Sequence, residues 1–214
     1  MAIVYEQNFE GSIWKVVNGS GPFVGIEERD EDVLEVKFHK LMLESLHMSP
    51  IDHPDFDWWF SLIGVDEINS YFRKFESEKD PFRQDLLILN DAKSLTPVSN
   101  TDVNENDGRF LNSTIYGVGD ASWGTIAQFL KKWETIPVKS IEYAESSNFF
   151  VLVYCEQVQD RLSRQLMIVS NSGSLLYKCI LDQETKGEAS QGFITFSNLV
   201  IFVEERKKLR IFEV

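Results

Sequence analysis

The chain has 214 residues, 34 acidic against 21 basic, for a formal net charge of −13. A surface with that balance repels phosphate backbones, which argues against nucleic acid and anionic membrane as partners. The length is enough to bury a real core, and an all-β chain of this size needs no division, so one domain over residues 1–214 is expected.

The opening MAIVYEQNFE holds no Lys or Arg and no sustained apolar run, so no secretory signal is predicted. No stretch approaches the roughly 18 apolar residues that suggest a membrane span. Cys155 and Cys179 lie in apolar runs, too far apart for a CxxC motif. They read as two buried, reduced thiols of a cytoplasmic protein, with a disulfide between them left open.

In chain order, short runs rich in Val, Ile, Phe and Tyr alternate with turn residues, which is the grammar of strands. FVGIEE starts at Phe23, and the acidic run Glu27 to Asp32 reads as a solvated turn before LEVKFHKLML. WWFSLIGV starts at Trp58, followed by DLLILN and, from Ser113, STIYGV. Pro97 to Arg109 is polar without apolar periodicity and predicts an exposed loop.

Then DASWGTIAQFLKKWETIP breaks the pattern. Ile126, Phe129, Leu130 and Trp133 fall at helical spacing, Asp120 or Ser122 is placed to cap the start, and Pro137 follows the end. These predict a short amphipathic helix packed on the sheets. FFVLVYCEQV from Phe149 and RQLMIV lead to Asn171-Ser172-Gly173, which supplies positive φ for a hairpin into LLYKCIL. FITF, LVIFVEE and LRIFEV finish the chain, with Arg206, Lys207 and Lys208 at a charged turn and Arg210 just beyond it. The inner-strand runs recur at a loose interval of roughly 40 residues, near the spacing of propeller blades. The expected architecture is therefore all-β: repeated β-meanders, as a small irregular β-propeller with one helical insertion, although an open meander or sandwich also fits.

Few residues suggest chemistry. In DVNENDG, Asp102, Asn104 and Asn106 alternate like calcium ligands, but Asp107 stands where an EF-hand loop needs Gly, and Ser113 where it needs Glu. His39, His47 and His53 have no metal-site spacing, although Asp52, Asp55 and Asp57 lie near His53. There is no GxSxG, P-loop or dinucleotide fingerprint, so no metal and no cofactor are expected.

The strongest candidate is HPDFDWWFSLIG. If WWFSLIGV is a strand, Trp58 and Trp59 point to opposite faces. One is then buried and the other stands beside Asp55 and Asp57, where an indole holds a sugar ring or a cation. The alternative is that both indoles only pack.

GIEERDEDVLEVKFHKLML and DWWFSLIGV, with DPFRQDLLILNDAKSL beyond, resemble an uncharacterised family of propeller-like proteins found mainly in Bacteroidetes, a domain of unknown function. The resemblance covers roughly residues 10–95. It implies repeated β-meanders and no established activity. The functional expectation is a non-catalytic bacterial module that binds a protein or a small molecule such as a sugar. The alternative is a glycosidase-like enzyme using the aspartates near the tandem tryptophans.

Overall fold

The computed structural model describes residues 1–75, 84–90, 94–98, 109–183 and 192–214. The fold is all-β with one short helix, and its sheets are antiparallel and open. The chain divides into two compact units: a middle unit, Phe9–Phe110, and a flanking unit made of Met1–Asn8 and Leu111–Val214.

The first strand, β1 (Ala2–Asn8), belongs to the flanking unit and is taken up below. The middle unit is two successive meanders. Strands β2 (Ser12–Asn18), β3 (Phe23–Asp30), β4 (Glu35–Met42) and β5 (His47–Ile51) form one four-stranded sheet in sequence order. Strands β6 (Phe60–Val65), β7 (Ser70–Phe75), β8 (Gln84–Leu89) and β9 (Leu95–Pro97) form the other. Phe23, Phe38 and Ile51 of the first sheet share one core with Phe60, Leu62, Val65, Phe72 and Leu89 of the second. Close approach is made possible by Gly25, where a Cβ would lie 2.6 Å from the Leu62 side chain and 2.8 Å from that of Val17.

After the two-residue β10 (Phe110–Leu111), the flanking unit builds β11 (Thr114–Tyr116), β12 (Pro137–Glu145), β13 (Phe149–Val158), β14 (Arg161–Ser170) and β15 (Leu175–Asp182) into one sheet, again in sequence order. A second sheet includes β16 (Phe193–Phe196), β17 (Leu199–Glu204) and β18 (Lys208–Glu213), and β1 pairs antiparallel with β18 at one edge of it. The central β13 is buried on both faces. Val151 and Val153 meet Phe193, Phe202 and Phe212, while Leu152 and Tyr154 meet the helical side. That period of two is why FFVLVYC reads as a nearly continuous apolar run.

The helix α1 (Ala121–Leu130) forms where expected, continues as a 3-10 turn through Trp133, and stops at Glu134 in the left-handed region, φ 56°. Asp120 is the residue before it, but its carboxylate accepts the Gly117 N–H at 2.6 Å rather than a helix N–H. The hairpin at Gly173 (φ 84°) is also as expected. Of the run Glu27 to Asp32 only Glu31 and Asp32 lie in the expected solvated turn: β3 continues to Asp30, and Glu27, Glu28 and Arg29 are buried. Strands β2, β7 and β12 had no apolar run to announce them, because Lys15, Arg73, Lys74, Lys139 and Glu142 interrupt them.

The close approach at Gly25 gives a direct test. Gly25→Ala must displace Leu62 and Val17, and a loss of about 1–3 kcal/mol is expected in urea unfolding, as for other overpacked cores.

Candidate functional site

In the middle unit, the register of β2 against β3 slips at Trp14: Ile13 stands opposite Glu28, and Lys15 opposite Glu27. A bulge of this kind adds one residue to a strand and re-aims its side chains. Residues directly opposite one another share a face, so Lys15 stands on the Glu27 side rather than on the side of Ile13. Arg29, two residues from Glu27, shares that face.

Glu27 and Arg29 then tie the two sheets of this unit together. Arg29 Nε donates to Glu27 Oε1 at 2.7 Å, and its two terminal nitrogens donate to the carbonyls of Trp58 (2.8 Å) and Phe60 (2.7 Å). The second oxygen of Glu27 accepts the Ser61 hydroxyl at 2.9 Å and the Leu62 N–H at 2.8 Å. On the other face, Glu28 accepts the Gly11 N–H at 2.6 Å and meets His39 Nε2 at 3.1 Å.

Two indoles frame the guanidinium. The Arg29 Cζ lies 4.9 Å from the Trp14 ring centre and 4.7 Å from that of Trp58, and the two indoles meet edge-on at 6.2 Å. Trp14 is 54% exposed and Trp58 is half-buried. Among the described residues no hydrogen bond engages the indole N–H of either ring. Lys15 donates one bond, to the Leu62 carbonyl at 2.8 Å. Partial desolvation and the neighbouring Arg73 and Arg29 push its ammonium below the usual lysine range, against the pull of Glu27.

The expected site residues are distributed differently. Trp58 and Trp59 lie in a turn before β6 rather than in the strand, so strand alternation does not orient them. Trp58 is committed to Arg29, and Trp59 is half-buried. Asp57 accepts the Trp59 N–H at 2.9 Å and lies 4.0 Å from Lys74. Asp55 is 73% exposed, with His53 at 3.7 Å. The aspartates thus shape the turn on the outside, while the aromatic partner of Trp58 is Trp14. Its only signal was a lone tryptophan in a polar strand, SIWKVVN. The calcium-like pattern at Asp102, Asn104 and Asn106 lies outside the described residues.

The flanking unit repeats the buried carboxylate device. Glu142 accepts the Ser113 hydroxyl at 2.7 Å and the Gly192 N–H at 2.8 Å, with Arg164 at 3.7 Å. Burial pushes its carboxyl above the usual range, and burial lowers Arg164. Cys155 and Cys179 are free thiols on β13 and β15, separated by β14. Two strand spacings are roughly 10 Å, beyond disulfide reach. Burial raises both thiols, Cys179 to about 12, which removes their thiolate reactivity at neutral pH. Among the described residues no three His, Cys, Asp or Glu side chains gather as metal ligands, and no helix is long and apolar enough to cross a membrane.

No protein-family model, no curated protein and no solved structure matches the chain.

Two outcomes are expected from these networks. Glu27→Ala leaves Arg29 buried without its counter-charge and lowers stability in urea unfolding by about 3–5 kcal/mol. For Glu142, the folded-state pKa is raised, so the native state holds the proton longer than the unfolded chain does. Stability from this group is present at low pH and falls as pH rises through the raised value. The wild type is therefore expected to lose stability relative to Glu142→Gln as pH is raised from the ordinary glutamate range to neutrality, measured by urea midpoints.

Proposed function

We propose that the chain is a non-catalytic ligand-binding module whose binding face is the Trp14–Arg29–Trp58 arrangement of the middle unit. The observation that carries this is a half-exposed tryptophan pair packed on a buried arginine, with neither indole N–H bonded among the described residues. A rigid aromatic surface costs little entropy to bind against, and an indole suits the flat face of a sugar or another ring. The exposed Asp55 and Asp57 do not converge on a protected pocket as paired catalytic carboxylates do, so binding accounts for the geometry better than hydrolysis.

We further read the four sheets as blades of a small irregular propeller. Support comes from the succession of antiparallel meanders and from the N-terminal β1, which pairs with the C-terminal β18 at the edge of a sheet as a blade-closing strand does. This reading is in keeping with the resemblance to the propeller-like family. The two separated, unreactive thiols fit a reducing, cytoplasmic setting.

The test is a thermal-shift screen against neutral and charged sugars, nucleotides, amines and divalent metals, with Trp14→Ala alongside. Trp14 is the more exposed ring, so its removal is expected to leave the melting point within a few degrees of wild type. It should abolish the ligand-induced rise. A ligand whose shift survives Trp14→Ala binds elsewhere and counts against this face.

A further inference from the structure

A protein of net charge −13 gathers three cations around one carboxylate at this face. Arg73 on β7 stands directly opposite Ser61 on β6, and so on the same side of the sheet. The Ser61 hydroxyl donates to Glu27, which is also bound by Arg29, and Lys15 is anchored at the very next residue, Leu62. Glu27 is already matched by Arg29. Among the described residues neither Lys15 nor Arg73 forms an ion pair, and Lys15 shares the pull of Glu27 with Arg29.

Their donors are also in excess. Among the described residues Lys15 uses one of its three N–H bonds. Arg73 is half-buried, its Nε is fully buried with no hydrogen-bond partner, and no described side chain forms an ion pair with it. A buried, unmet guanidinium N–H is costly, and a guanidinium that turns to present two of its N–H groups to an oxyanion removes that cost with a two-pronged pair. Burial is the main reason the lysine is lowered, repulsion from Arg73 and Arg29 adds to it, and a bound anion offsets that repulsion.

Resting on the binding role proposed above, we infer that the ligand is an anionic sugar or similar ring compound. Its oxyanion, a carboxylate or a phosphate, is taken by Arg73 and Lys15 while its ring lies on the exposed Trp14. The net negative surface outside this cluster keeps long polyanions away, so a small molecule is the fitting occupant.

The experiment is titration of the wild-type protein with glucuronate, glucose 6-phosphate and glucose at low ionic strength, read by calorimetry and tryptophan fluorescence. At least one anionic sugar is expected to bind roughly tenfold or more tightly than glucose, as a charge-assisted pair should give. That preference should shrink as salt is raised. The tighter of the two anionic ligands names the oxyanion. Arg73→Gln and Lys15→Gln should each bring its affinity down towards that of glucose. Lys15 is exposed, so its variant answers the question even if Arg73→Gln folds poorly. Equal binding of glucose and the anionic sugars overturns the anion inference and leaves the binding face standing. Absence of binding by all three overturns this assignment, whereas the face itself fails only if the broader screen finds no ligand dependent on Trp14.

Discussion

The middle unit depends on a buried ion pair that does the work of a strand connection. Glu27 and Arg29 belong to one sheet, yet four of their hydrogen bonds end on Trp58, Phe60, Ser61 and Leu62 at the start of the next. Two charges removed from water are tolerable only when nearly every donor and acceptor is met, and here backbone groups of β6 and the turn before it supply the partners. The same bonds fix where the chain enters β6, and so fix Trp58 over the guanidinium.

The flanking unit solves its own version of the problem with the same chemistry. Glu142, like Glu27, meets one serine hydroxyl, one backbone N–H and one arginine. Apolar packing between open sheets is non-directional, whereas a carboxylate accepting from a particular N–H specifies one register. In each unit the apolar cores stabilise the contact and the buried carboxylate selects its alignment.

The proposed binding face follows from this scaffold by addition of a bulge. Without the extra residue at Trp14, Lys15 would share the face of Ile13. With it, Trp14 and Lys15 both join Arg29, and Arg73 arrives from β7 through its register with Ser61. Rigidity comes from the ion pair, surface from the indoles, and charge from residues outside the ion pair. No one of these elements is a motif.

Apolar runs such as FFVLVYC, RQLMIV and LVIFVEE determined their strands locally, because β-branched and aromatic residues with a period of two leave little else to form. The helix at Ile126–Trp133 and the hairpin at Gly173 were likewise legible, since spacing and positive φ are local properties. Charged residues were not. EERD reads as a solvated turn because a charge in isolation prefers water, and only the partners brought by β6 make its burial stable. The tandem tryptophans drew notice in the sequence, but Trp58 owes its role to Trp14, forty-four positions away in the numbering and 6.2 Å away in space. A site assembled across strands by register and a bulge is a property of pairing, and pairing is decided only when the sheets have packed.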